Sequence, residues 1–168
     1  MKLSFSLLFS ALIALSFNAN AGSVWDPEKP HAVIEKPLAI TVNRSAQCGC
    51  CKKWINHLEK HNFKITDNVT NEMAQIKKQL GMPPQLASCH TAVIEGYVIE
   101  GHVPAQDIMR LIKEKPDNIA GLSVPGMPMG TPGMEAHPGV AYGRKDNFDV
   151  VAYDKDGKVS VYHSYKDY

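Results

Sequence analysis

The chain has 168 residues, enough for one domain with a substantial core, and a formal net charge of +1. That near-balance argues against a nucleic-acid surface, which calls for a concentrated basic patch, and against electrostatic docking on anionic lipid. Four cysteines and seven methionines are the compositional features that ask for an explanation.

The first segment reads as a secretory signal. Met1-Lys2 opens with positive charge, Leu3 to Phe17 is almost wholly apolar, and Ala19-Asn20-Ala21 fits a small-x-small cleavage site. Cleavage is expected after Ala21, leaving one domain over 22–168 exported to the periplasm. The apolar run is shorter than the ~20 residues a spanning helix needs. No second run of that length follows, so no membrane insertion is expected after cleavage.

Gly22 to Lys36 reads as an irregular lead-in, and Leu38 to Val42 as a short strand. The cysteine cluster follows at once. From Cys50 to Asn62 the pattern is helical, with Cys51, Trp54, Ile55, Leu58 and Asn62 on one stripe. Phe63 to Val69 alternates as a second strand, and Asn71 to Leu80 forms a second helix stopped by Gly81. Thr91 to Ile94 and Tyr97 to Glu100 form a hairpin about Glu95-Gly96. Pro104 opens a third helix, whose apolar face is Ile108, Leu111 and Ile112 and which Pro116 ends. Strand, helix, strand, helix, hairpin, helix, with cysteines at the first strand-to-helix turn, predicts a thioredoxin-like α/β fold around a central mixed sheet. Gly121 to Gly139 reads as a long loop rich in Met, Gly and Pro, and long loops in compact domains are often functional. A last hairpin pairs Phe148–Tyr153 with Lys158–His163 about Asp154-Lys155-Asp156-Gly157.

All four cysteines, Cys48, Cys50, Cys51 and Cys89, lie in the mature part. Two disulfides are awkward at this spacing. Vicinal Cys50-Cys51 cannot pair without distorting the peptide between them, and at most one clean bridge, to Cys89, is easy. Spare thiols in an oxidising compartment need an occupant. A helix N-terminus favours thiolate, the form that binds metal or attacks disulfides. Three uses compete. Dithiol redox chemistry uses Cys-x-x-Cys, present as Cys48 and Cys51, but Cys50 would scramble a two-thiol cycle. Structural zinc wants a closed tetrahedron from separated pairs. Soft Cu(I) takes few ligands, shares bridging thiolates and accepts thioethers.

Two distant segments bear on the choice. Gly-Met127-Pro-Met129-Gly supplies thioethers, with Met134 and His137 behind, although methionines also serve as core filler. Cys89-His90 precedes the third strand, where a thioredoxin carries a cis-proline. The other histidines carry less weight. His57 and His61 read as solvated helix residues, His102 follows the fourth strand and can face either way, and His31 and His163 suggest no site.

Cys48-Gly49-Cys50-Cys51-Lys52-Lys53-Trp54, Leu86-Ala87-Ser88-Cys89-His90-Thr91-Ala92, Tyr97-Val98-Ile99-Glu100-Gly101-His102-Val103-Pro104 and Gly121-Leu122-Ser123-Val124-Pro125-Gly126-Met127-Pro128-Met129-Gly130 follow in order. Together they resemble the periplasmic CopG-type copper-resistance proteins, over about residues 37 to 153. The resemblance implies a thioredoxin-like core, copper held by Cys48, Cys50, Cys51 and Cys89, and a role in copper tolerance with conversion between Cu(I) and Cu(II). The expected site adds His90, Met127 and Met129 around more than one Cu(I) ion. Partners expected are copper ions and other periplasmic copper-handling proteins. A thiol-disulfide oxidoreductase and a structural zinc module are the alternative readings.

Overall fold

A computed structural model describes residues 24–25, 36–135 and 143–168. The expected signal, its cleavage site, most of the lead-in and His137 lie outside these residues. The apolar run at Leu38 becomes strand β1 (Leu38–Arg44), followed by helix α1 (Gly49–Lys60), strand β2 (Phe63–Val69) and helix α2 (Met73–Gln79). Strands β3 (His90–Ile94) and β4 (Tyr97–Glu100), helix α3 (Ala105–Glu114), and strands β5 (Gly121–Ser123), β6 (Phe148–Tyr153) and β7 (Val159–Tyr165) complete the order.

The strands form one seven-stranded mixed sheet in the order β2-β1-β3-β4-β5-β6-β7. β1 runs parallel to β2 and β4 parallel to β5, and the remaining neighbours are antiparallel. The hairpin between β3 and β4 turns at Glu95 and Gly96, both with positive φ (46° and 87°). That is the twist-matched two-residue turn that a Gly at the second position permits.

One stretch departs from its expectation. Gly121–Ser123, read as the start of a loop, is strand β5. It fills the slot between β4 and β6 and so sews the C-terminal hairpin into the main sheet. Gly121 is required there, because a Cβ would stand 2.3 Å from the Val98 carbonyl oxygen.

Strand alternation gives the sheet two unequal faces. Ile40, Val42, Ala92, Ile94, Ile99, Leu122, Val150 and Ala152 join Trp54, Ile55 and Leu58 of α1 and Ile108, Leu111 and Ile112 of α3 in the main core. The intervening Val98, Val151 and Tyr153 belong to a smaller cluster with Met82 and Leu86. α2 carries no buried residue and packs near β1 and β3. Among the described residues no helix is long and apolar enough to cross a membrane.

Candidate metal centre

β1 ends in a short turn in which the Cys48 N–H donates to the Ser45 carbonyl at 3.3 Å. Cys48 is the N-cap of α1, with φ −77° and ψ 90°, and its sulfur accepts the Cys51 N–H at 3.3 Å. The non-helical backbone swings the Cys48 side chain back over the first turn, so it does not diverge from Cys50 and Cys51 as a helical neighbour would. Cys48 and Cys51 form a disulfide, with Cα atoms 5.3 Å apart, and Cys50 and Cys89 are free thiols. This corrects the expectation that the one easy bridge runs to Cys89. The cap geometry brings sulfurs three residues apart together and leaves the vicinal peptide undistorted. Cys50 Sγ lies 3.5 Å from Cys48 Sγ, and all four sulfurs lie within 4.8 Å of one another.

Cys89 is also the centre of a second group. Its sulfur is 3.3 Å from His90 Nδ1 and 3.2 Å from His102 Nε2. His102 Nδ1 is 2.8 Å from the Pro132 carbonyl, which can only accept, so Nδ1 carries the proton and Nε2 turns its lone pair to Cys89. This is the backbone-carbonyl support that metal-binding imidazoles generally have. Burial, reinforced by the neighbouring Cys50 thiol, pushes the Cys89 thiol up to about 12. Burial holds both imidazoles below the ordinary histidine value, and their mutual repulsion lowers His90 further. With His102 Nδ1 donating to Pro132, its Nε2 is the acceptor for the Cys89 S–H. His90 Nε2 is buried and has no hydrogen-bond partner among the described residues.

His102 is the site neighbour that the sequence reading under-weighted. Its signal lay in the hairpin register. The pairing sets Ile94 opposite Tyr97 and Thr91 opposite Glu100, the Gly101 N–H still donates to the His90 carbonyl at 3.0 Å, and Cys89 and His102 flank that last bond.

Helix α1 locks this segment in place. Trp54 Nε1 donates to the Val103 carbonyl at 2.8 Å, and the Trp54 ring packs on His90 at 4.3 Å between centroids. One turn on, His57 Nε2 accepts the Ala105 N–H at 3.0 Å and so satisfies an amide of the first turn of α3. His57 and His61 are buried, which corrects their reading as solvated residues. His57 has a structural partner in α3, and His61 Nδ1 donates to the His57 carbonyl at 2.9 Å.

The Met-Gly-Pro loop closes over the site through its backbone. The Ser88 hydroxyl donates to the Gly126 carbonyl. At Gly133 (φ +85°) a Cβ would stand 2.7 Å from Trp54 N and 2.9 Å from the Cys50 carbonyl, so only glycine lets the loop lie on α1. Trp25 Nε1 ties the loop from outside, donating to the Gly130 carbonyl at 2.7 Å. Met127 is 52% exposed, whereas Met129 and Met134 are buried. The Met129 N–H donates to Asp146 Oδ2 at 3.0 Å, linking the loop to the segment before β6.

Sulfur and imidazole donors fit a soft or borderline metal ion better than an oxygen-preferring one. Fold and site thus define a mixed α/β protein with a candidate sulfur-rich metal centre. A family of proteins of unknown function, DUF411, matches over residues 86–134. A solved structure described as copper resistance protein CopG, form 2, is 47% identical, with TM-score 0.71, covering 78% of this chain and 100% of that one. Form 1 is 48% identical, with TM-score 0.70, covering 77% and 98%. No curated protein sequence matches the chain. The chain belongs to the CopG family of copper resistance proteins.

Proposed function

We propose that the protein binds copper in the periplasm and thereby protects the cell from excess copper. The observation that carries this reading is the convergence of Cys48, Cys50, Cys51 and Cys89 sulfurs within 4.8 Å, in a chain whose relatives are copper resistance proteins. Four thiolates this close suit Cu(I), which shares bridging sulfur, and more than one ion is the expected load. His90, with Met127 and Met129 of the overlying loop, supplies the remaining donors of the expected set. Imidazole tolerates Cu(II) where thiolate favours Cu(I), so the mixed set supports interconversion of the two states. The β1-α1-β2 unit followed by the β3-β4 hairpin and α3 supports a thioredoxin-like core, and the N-terminal segment supports export.

Cys48 and Cys51 bind as thiolates only after a thiol reductant delivers two electrons to their disulfide, the reductant itself leaving as a disulfide. Elemental analysis of protein purified from copper- and from zinc-supplemented cells, kept reduced, tests the proposal. Copper should be retained in preference to zinc, and Cys50→Ser or Cys89→Ser should sharply lower it. A copper ratio near zero with reduced thiols overturns the reading.

The Cys48–Cys51 disulfide itself favours a second reading, a thiol-disulfide oxidoreductase. On that reading reduced, metal-free protein reduces a model disulfide while Cys48 and Cys51 close their own bridge, and Cys50→Ser and Cys89→Ser leave that exchange nearly unchanged.

A further inference from the structure

Glu100, the last residue of β4, is completely buried. A carboxylate in that position persists only if its charge and its lone pairs are met. Lys77 of α2 forms an ion pair with Oε1. The Ser88 backbone N–H donates to the same oxygen at 2.5 Å, and the Thr91 hydroxyl donates to Oε2 at 2.7 Å. Lys77 Nζ also donates to Thr91 Oγ1 at 2.7 Å, closing the network.

The location of these contacts matters more than their number. Ser88 immediately precedes Cys89, and Thr91 immediately follows His90. One carboxylate therefore grips both ends of the Cys89-His90 step. Cys89 immediately precedes β3, outside the main-chain ladder of the β3-β4 pair. Replacement of a buried ion pair by apolar residues is often neutral or stabilising, so stability alone is a poor reason for this one.

We propose that Glu100 is a positioning residue for the metal centre: neutralised by Lys77, it clamps Ser88 and Thr91 and so fixes Cys89 against Cys50 and His102. The role at the centre rests on the reading of the cysteines as metal ligands, but the clamp can be tested without metal. With the Cys48–Cys51 disulfide closed, only Cys50 and Cys89 are available to an alkylating reagent. Their separate rates can be followed by peptide mass spectrometry.

The double variant Lys77→Met with Glu100→Leu removes both charges and should keep its melting temperature. Cys89 should then alkylate about tenfold faster relative to Cys50, and Cu(I) retention against a competing chelator should fall about tenfold or more. Glu100→Gln keeps a carbonyl for the Ser88 N–H and should recover most of both losses. A general loosening of the fold would speed Cys50 and Cys89 alike and leave their ratio unchanged. Should the double variant not fold, Thr91→Val removes only the bridging hydroxyl and should shift the ratio in the same direction. A wild-type ratio in the folded variants overturns the clamp. Wild-type protein that takes up no copper overturns the metal reading, while the alkylation ratio still decides the clamp.

Discussion

His102 Nε2 lies 3.2 Å from Cys89 Sγ, the two residues standing just beyond Thr91 and Glu100, the last pair of the β3-β4 ladder, where Gly101 (φ 72°) turns the chain. The contact is fixed from behind by the Pro132 carbonyl on His102 Nδ1, at 2.8 Å. The loop over the site and the thiol beneath it are therefore joined through one imidazole.

Removal of that imidazole should be felt at the metal. His102→Ala is expected to weaken copper binding by about tenfold to a hundredfold, as loss of an orienting partner commonly does. Competition titration against a Cu(I) chelator measures it. Wild-type affinity in a folded variant would show that His102 has no part in the centre.

Thiol counting tests the oxidation pattern. Metal-free protein purified without reductant should titrate two thiols, Cys50 and Cys89, and reduced protein four. Peptide mapping should find the bridge between Cys48 and Cys51. A bridge from Cys89 to any of the other three would contradict the arrangement.

Gly133→Ala should destabilise the protein by about 1–3 kcal/mol, since a left-handed backbone and a backbone clash coincide there. Thermal unfolding gives the magnitude. The variant should also admit reagents more readily to Cys50, whose carbonyl the loop covers. Gly126→Ala provides the comparison, because φ is +71° there but no atom lies within 4 Å of an added Cβ.

His57 should make stability depend on pH. Burial, then the nearby His61 and Lys60, lower it from 6.5 to about 3. The groups facing it are the His61 ring at 4.5 Å and the Ala105 N–H that its Nε2 accepts. Between those two values the unfolded chain binds a proton that the folded chain refuses. The contribution is full above about pH 6.5 and is lost as pH falls toward 3, by about 1.4 kcal/mol per unit. Denaturation midpoints of metal-free protein between pH 7 and 4 should fall less steeply in His57→Gln than in wild type. Parallel profiles would rule the effect out.

Local pattern was enough for most of the fold. Phe63–Val69 follows an alternating pattern and Tyr97–Glu100 is a short apolar run after a Glu-Gly turn, and each forms a strand over the residues expected of it. β5 was not legible. Three residues, Gly-Leu-Ser, carry no period, and they are a strand only because β4 and β6 flank them. His57 and His61 misled for a related reason. A histidine among lysines on a helix reads as solvated, and His57 is covered by α3, whose Ala105 N–H it accepts, arriving from elsewhere in the chain.

By itself the sequence determined which sulfur and nitrogen donors the protein owns, the order of most of its elements, and the motifs that mark its family. Those are properties of residue type and near-neighbour spacing, and they survive without coordinates. Only the tertiary structure decided which donors meet. It closed Cys48 onto Cys51 through a helix cap, brought His102 to Cys89 beyond the end of the β3-β4 ladder, and gave the buried Glu100 its grip on Ser88 and Thr91. Spacing offered the first two as candidates, through Cys-x-x-Cys and the hairpin turn, but backbone direction and long-range packing decided that they meet, and nothing in the spacing pointed to Glu100.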